Sequence, residues 1–335
     1  MSTRLAHAYK KTIPALSQQS GAAQKLLAFA SLIMLVLIFS ISSSNFFQFD
    51  NLIAIMLSTA VIGVLALGST FVIITSGIDL AVGTVMTFSS VMAGVIITTW
   101  QLPMPLGIVG GILTGAVCGL ISGLLVAKMK IPPFIATLAM MMVTKGLSLV
   151  ISGTKPIYFN DTPAFAKISM GSLISDIFPG VEIPNAILVF FGAAIIASLI
   201  LTKTIIGRYN FALGSNEEST RLSGVNVDYW KIVIYTLTGV FSGIAGIMMA
   251  SRLNSAQPAL GSGYELEAIA AVVIGGTSLS GGKGSILGTV IGALIMSVLT
   301  NGLRILSVKQ EWQTVIVGIV IVLAVYADMM RRRKK

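Results

Sequence analysis

The sequence predicts an all-α, polytopic membrane protein with about ten transmembrane helices. Its composition is the first observation behind this: 55% of the 335 residues are hydrophobic and 10% charged, where soluble domains run near a quarter charged. Mean hydropathy is +0.93. The second is that apolar runs of about twenty residues, the length that crosses a hydrocarbon layer of about 30 Å as a helix, recur along the chain. The third is that these runs lack the two-residue alternation of a membrane barrel. Lipid offers the backbone no partner, so such runs must be helical.

The candidate spans fall at about 26–43, 52–74, 81–99, 106–127, 133–152, 185–203, 231–250, 265–279, 285–303 and 312–328. A basic leader, 1–25, precedes the first. It is longer than a usual signal-peptide n-region, and no small-residue cleavage site interrupts the run before Ser42, so the first span is expected to be retained. Between spans two and three, Ser76 and Gly77 break the helix. Asp79 either caps the next helix or serves as a gate or substrate contact, as an acid at membrane depth invites. Span four carries Gly107, Gly111, Gly115, Gly119 and Gly123 as a smooth stripe along one face, suited to close helix packing or to a moving or subunit-contacting surface. Cys118 beside it reads as a small packing residue. Lys145 lies well inside span five with no carboxylate on its own helix.

A loop at 153–184 follows, with Asp161, Asp176, Glu182 and four prolines. Its length points to a function, preferentially a docking surface for a soluble partner. After span seven comes the polar stretch Ser251–Gly263, and Glu265 and Glu267 flank the start of span eight, placed to position that helix or to line the outer mouth. Span nine repeats the glycine device with Gly284, Gly288 and Gly292. The short pieces 76–85 and 280–290 look alike, and we read this as convergence of Gly-rich turns. Trp100, Trp230 and Trp312 stand at span ends as interfacial anchors. With aromatic residues at 7%, a deep sugar site is not indicated, and a weakly interacting pathway fits better.

Cytoplasmic segments retain Lys and Arg. With the amino terminus inside, Arg4, Lys10, Lys11, Lys25, Lys128, Lys130, Lys203, Arg208, Arg221, Lys231, Lys283 and the five basic residues of the tail 329–335 fall on the inner side, sixteen of twenty-two. Ten spans also return the carboxyl terminus there. The net charge of +10 therefore reads as topology and attraction to anionic lipid, not as a nucleic-acid surface. One cysteine and one histidine, His7, leave no basis for a metal cluster or a Cys/His dyad.

The longest polar interruption of the inner side is the loop 204–230. Ser215-Asn216-Glu217-Glu218 reads as a capping box, with the Ser215 hydroxyl on the Glu218 N–H and the Glu218 carboxylate reaching back. Acids at the start, Arg221 towards the end and Gly224 as the stop complete a helix of about two turns, about 12 Å long. So short a helix is marginal alone. Its charged face between Leu213 and Leu222 suits a groove on a protein partner, the alternative being the lipid surface. Gly275–Ser285 fails as a phosphate loop, because Thr277 and Gly284 stand where G-x-x-x-x-G-K-[ST] needs Gly and Ser or Thr. A tight turn between spans is expected there, and no means of hydrolysing ATP.

TSGIDLAVG, IPPFIATLAMMM, GRYNFALGSNEESTRLSGVNV, the run from Arg252 to Leu294 and NGLRIL, in this order, closely resemble the permease subunits of ribose-type monosaccharide ABC importers, of the binding-protein-dependent sugar and branched-chain amino acid permease family. The likeness runs from about Asn45 to the end of span ten, so the membrane domain 26–328 is identified as such a permease. The resemblance implies a pathway between two permease copies, separate ATP-binding subunits that hold ATP and Mg, and a soluble binding protein that delivers the sugar. It places the coupling helix at Asn216–Gly224, with Ser215, Glu217, Glu218, Thr220, Arg221 and Leu222 around it. Pathway and gate candidates are Ser76, Asp79, Gly83, Glu267 and Asn301. A gradient-driven carrier is the rival reading, and the shortage of buried acids argues against it. The Gly-striped spans are expected to transmit motion from the coupling helix to gates near Ser76–Gly83 and the inner ends of spans eight and nine.

Overall fold

The computed structural model describes residues 26–175, 180 and 182–333. The leader 1–25 with His7, Asp176 and Pro179 of the long loop, and Lys334 and Lys335 of the tail lie outside the described residues. Helix α1 is Leu26–Ser42. It is followed by α2 (Phe49–Ile74), α3 (Val82–Gly94, extended by a π turn over Val95–Thr99), α4 (Met104–Ala127) and α5 (Pro133–Ser152). Strand β1 (Ile157–Tyr158) and the single turn α6 (Lys167–Met170) lead to α7 (Asn185–Lys203), α8 (Ile205–Ser215), α9 (Glu217–Leu222) and α10 (Val227–Leu253). Strand β2 (Ser255–Ala256), α11 (Tyr264–Ile274), α12 (Ile286–Ile305) and α13 (Gln310–Arg333) complete the chain.

Among the described residues, seven helices are long and apolar enough to cross a membrane: α2, α3 with its π turn, α4, α5, α7, α10 and α12. Two shorter apolar helices, Leu26–Ser42 and Gln310–Tyr326, match the first and last candidate spans. The eighth candidate, 265–279, differs. Its helix α11 has 11 residues, a rise of about 16 Å, half a bilayer. An extended stretch supplies the other half: Ser255–Ala256 pairs with β1 at the face carrying the 153–184 loop, and the chain then descends to Gly261 before α11 begins. Gly275 and Gly276, the latter at φ +90°, end the helix where an uninterrupted apolar run had suggested continuation.

The centre is built on α2 and α10. Every residue of α2 from Thr59 to Ile74 is buried, so this helix is apolar all round, as a core helix should be. Helices α4, α5 and α7 each keep one apolar face exposed, the pattern of helices that meet lipid. The glycine stripe of α4 is covered within the chain. A methyl group on Gly115 would run into the Gly239 carbonyl and the Gly243 backbone, and one on Gly119 into the Tyr235 carbonyl, so α4 lies backbone to backbone on α10. The stripe is thus a packing seam, not a subunit-contacting face. The second stripe is used the same way, with Gly288 against Gly275 and Gly292 against Ala271 of α11.

The described part of the 153–184 loop folds as a cap at one face, here the far face. Strand β1 pairs antiparallel with β2, Phe159 stacks on Phe165 at 4.0 Å, and the Ser169 hydroxyl donates to the Met248 carbonyl at 2.8 Å. The opposite face carries 128–132, 203–231 and 275–285 and is called the basic face.

Candidate coupling site

On the basic face the loop 204–230 forms two helices, where the sequence reading expected one. Helix α8 buries Gly207, Asn210 and Leu213, a three-residue spacing that brings them to one side. Its carboxyl end rests on bare backbone. A side chain at Gly214 would enter the Ile74 carbonyl and the Gly282 nitrogen, and one at Gly281 would enter the Ser76 hydroxyl and the Gly214 carbonyl. The Gly282 N–H donates to the Ile74 carbonyl at 2.9 Å. Three segments far apart in sequence therefore meet at van der Waals distance: the end of α8, the turn after α2, and the glycine turn between α11 and α12. Positive φ at Ser76 (63°), Gly281 (78°) and Gly282 (70°) turns the chain tightly enough for this.

Helix α9 projects from that seat. Its cap is Asn216, not Ser215. Asn216 has extended backbone (φ −163°, ψ 104°), and its side-chain oxygen accepts the Ser219 N–H at 2.9 Å. Ser215 instead closes α8 beside Gly282. Asn caps as well as Ser, so the cap sits one residue further on than expected; among the described residues Glu218 makes no bond back to it, and the expected capping box is not formed. Gly224 at φ +83° ends the helix as expected.

Charge ties α9 down on one side. Lys231 donates to Glu217 at 2.6 Å, Arg221 lies 3.3 Å from Glu217 and 3.8 Å from Asp228, and Lys130 reaches Asp228 at 2.6 Å. Thr220 is buried at 7% exposure, and its hydroxyl donates to the Asn216 carbonyl. Glu218 points to solvent, as does Leu222 at 80% exposure. Lys130 and Asp228 were absent from the sequence-based set, because only the fold brings the 128–132 turn beside the start of α10. Asn210 was missed as well: it is fully buried, and neither atom of its amide has a partner among the described residues.

Deeper in the molecule, α3 and α11 begin at the same level. Gly83 packs on the Gly261 carbonyl and on Glu265. Gly83 lies eleven residues, about 16 Å, below Gly94, which touches Ile157 and Ala256 at the far face. Two helix amino termini thus meet near mid-depth, each after an irregular approach of the kind tolerated there only when buried or lining a cavity. Asp79, at 6% exposure, accepts the Ala81 N–H at 2.9 Å. It braces the turn ahead of α3, whereas Ala81 holds the cap position without a side-chain bond. The Thr144 hydroxyl of α5 bonds that of Thr84 at 2.8 Å, and next to it exposed Lys145 lines a small recess with Thr84, Thr87 and Ser262.

Residues 51–325 match the family described as branched-chain amino acid transport system / permease component. The chain belongs to this family. It is 42% identical to a ribose import permease protein of Haemophilus influenzae, over 92% of this chain and 94% of that one. A ribose import permease protein of Bacillus subtilis is 44% identical over the same shares. A fructose import permease protein of Rhizobium meliloti is 36% identical over 88% and 81%.

In this permease-family chain the pathway candidates separate into two groups. Ser76 lies in the seat under α8, and Asp79 and Gly83 lead from it to mid-depth. Glu267 and Asn301 stand elsewhere. The Asn301 amide donates to Asn51 at 2.9 Å, joining α12 to the first turn of α2, and Glu267 lines a cavity with Arg252 and Arg304.

Proposed function

We propose that the chain is the membrane-spanning permease subunit of an ATP-driven monosaccharide importer, with ribose as the first sugar to test. Family membership and the ribose and fructose import relatives support this reading. The observation that carries it is the seating of the 204–230 loop: α9 offers Glu218 and Leu222 outwards while the adjoining end of α8 presses on the turns that lead into α3 and α12. A push on α9 is thereby delivered to the start of two helices at once. Burying an exposed Leu in a partner's groove is worth about 1.5–3 kcal/mol, enough to anchor the contact.

In this scheme two separate ATP-binding subunits, which hold ATP and Mg, dock on α9 from the cytoplasm. A second copy of the chain completes the pathway, a soluble sugar-binding protein docks on the 153–184 cap, and membrane lipid surrounds the rest. Both termini are cytoplasmic, following the basic residues. In this reading the chain itself does transport work, and ATP and Mg belong to the partner subunits. Because α4 and α10 interlock backbone to backbone, they move as one body. The expected gate is the inner junction of Ser76, Gly281 and Gly282, together with the Asp79–Gly83 approach.

The test is purification in mild detergent followed by mass spectrometry of copurifying proteins. Recovery of an ATP-binding subunit in equal amount supports the proposal. A folded chain recovered alone, and ribose uptake that collapses with the proton gradient instead of with ATP depletion, would replace it with a gradient-driven carrier.

A further inference from the structure

The cavity that contains Glu267 lies between α2, α10, α11, α12 and α13 and encloses about 460 Å³. Its polar wall holds Arg252, Arg304, Glu267 and Gln313. Arg252 and Arg304 stand one residue from the ends of α10 and α12 at the far face. Among the described residues none of the three charged groups is in an ion pair. Arg252 makes one hydrogen bond, to the Leu57 carbonyl at 3.3 Å, out of the five donors of a guanidinium. Arg304 is exposed and Arg252 half-buried, so both can present their guanidinium groups at head-group level, where converging cations attract anionic lipid.

The lining also has a direction. Val61 and Ile62 belong to the same wall but lie about 18 Å down α2 from its far-face start, and Val317 and Ile321 lie about 10–16 Å down α13. The cavity is therefore cationic and hydrogen-bonding at the level of lipid head groups and apolar towards mid-depth. It is open on one side: Thr314 and Gly318 line it and are themselves exposed, and a methyl group on Gly318 would meet nothing within 4 Å.

We propose that this cavity binds one anionic phospholipid from the far leaflet. Its phosphodiester is held by Arg252 and Arg304, and one acyl chain runs along Val61, Ile62, Val317 and Ile321. Two guanidinium groups and one carboxylate leave a single excess positive charge, which one phosphodiester neutralises. A zwitterionic lipid brings no net charge and leaves that excess in place. The forked donors of arginine suit phosphate oxygens in pairs. The lipid wedges α13 against α2 and α11, away from the α8–α9 seat, so it is a structural ligand of the permease and not its cargo.

Native mass spectrometry decides it, on the full chain in mild detergent after exchange into nanodiscs of phosphatidylglycerol or phosphatidylcholine. The wild type is expected to retain one phosphatidylglycerol and to select it over phosphatidylcholine. R252Q/R304Q is expected to lose that retention at least tenfold. V317W fills the apolar half with both arginines in place and should lose it too, which keeps the test decisive if the double variant fails to fold. Retention by V317W equal to wild type overturns the proposal. So does protection of the delipidated chain against thermal unfolding by inorganic phosphate alone, which would make the cavity a free-anion site. Displacement of the lipid by ribose would return the cavity to the transport pathway and also overturn it.

Discussion

Gly214→Ala is the sharpest test of the coupling seat. The added methyl would stand 2.6 Å from the Gly282 nitrogen and 2.8 Å from the Ile74 carbonyl carbon, nearer still to the Ile74 oxygen. All three are backbone atoms and cannot turn aside as a side chain can. Either α8 lifts by more than an ångström or the turn under it shifts as far. Overpacking of this kind costs about 1–3 kcal/mol, which lowers the ratio of seated to unseated loop by roughly 5- to 150-fold at about 1.4 kcal/mol per decade. The matched control is Gly192→Ala in α7, where nothing lies within 4 Å of the new methyl and a helix interior favours Ala over Gly by about 1 kcal/mol. In proteoliposomes with the copurified ATPase, Gly214→Ala is expected to keep ATP hydrolysis and to lose at least fivefold in ribose transported per ATP, with Gly192→Ala unchanged in both. Gly214→Ala protein that is folded by thermal unfolding and transports with wild-type coupling would refute the claim that the seat carries the motion.

The cap of α9 predicts a graded series. Asn216→Ala loses the bond to Ser219, about 1 kcal/mol or a roughly fivefold drop in helix population, while Asp or Ser at 216 restores it; hydrogen exchange of residues 217–224 reads this, and equal exchange in all variants would exclude the cap. Leu222→Asp leaves the isolated chain's thermal stability unchanged, because the side chain is 80% exposed, but weakens ATPase copurification at least tenfold. By contrast, Glu217→Gln, whose bridges to Lys231 and Arg221 are partly exposed, changes stability by less than about 1 kcal/mol in a salt-dependent thermal melt. Asn210→Leu removes a buried amide that has no partner among the described residues. It is expected to raise the melting temperature and lower transport, and a lower melting temperature would mean that the amide is bonded in the resting fold.

Much of this molecule was legible from its residues one segment at a time. Apolar run length alone located nine of the candidate helices, since a helix in lipid answers only to its own hydrophobicity and backbone bonds. Gly224 as a stop and the acidic start of α9 were readable because capping acts over three or four residues. Contacts between distant segments were not. The half-length α11 was hidden because 265–279 is as apolar as a span, and only the descent of the chain to Gly261 leaves α11 just half the thickness to cross. The direction of the α4 stripe depended on where Gly239 and Gly243 of α10 lay. Lys130 beside Asp228, Gly214 on Ile74 and Gly282, and Arg252 with Arg304 around one cavity join residues 52 to 208 positions apart. The sequence by itself determined the class, the helices and the likeness to sugar importers, because those follow from local hydrophobicity and motifs. The seat and the cavity were decided only by the tertiary structure, because they are made of bare backbone and unpaired charge whose meaning lies in what is packed against them.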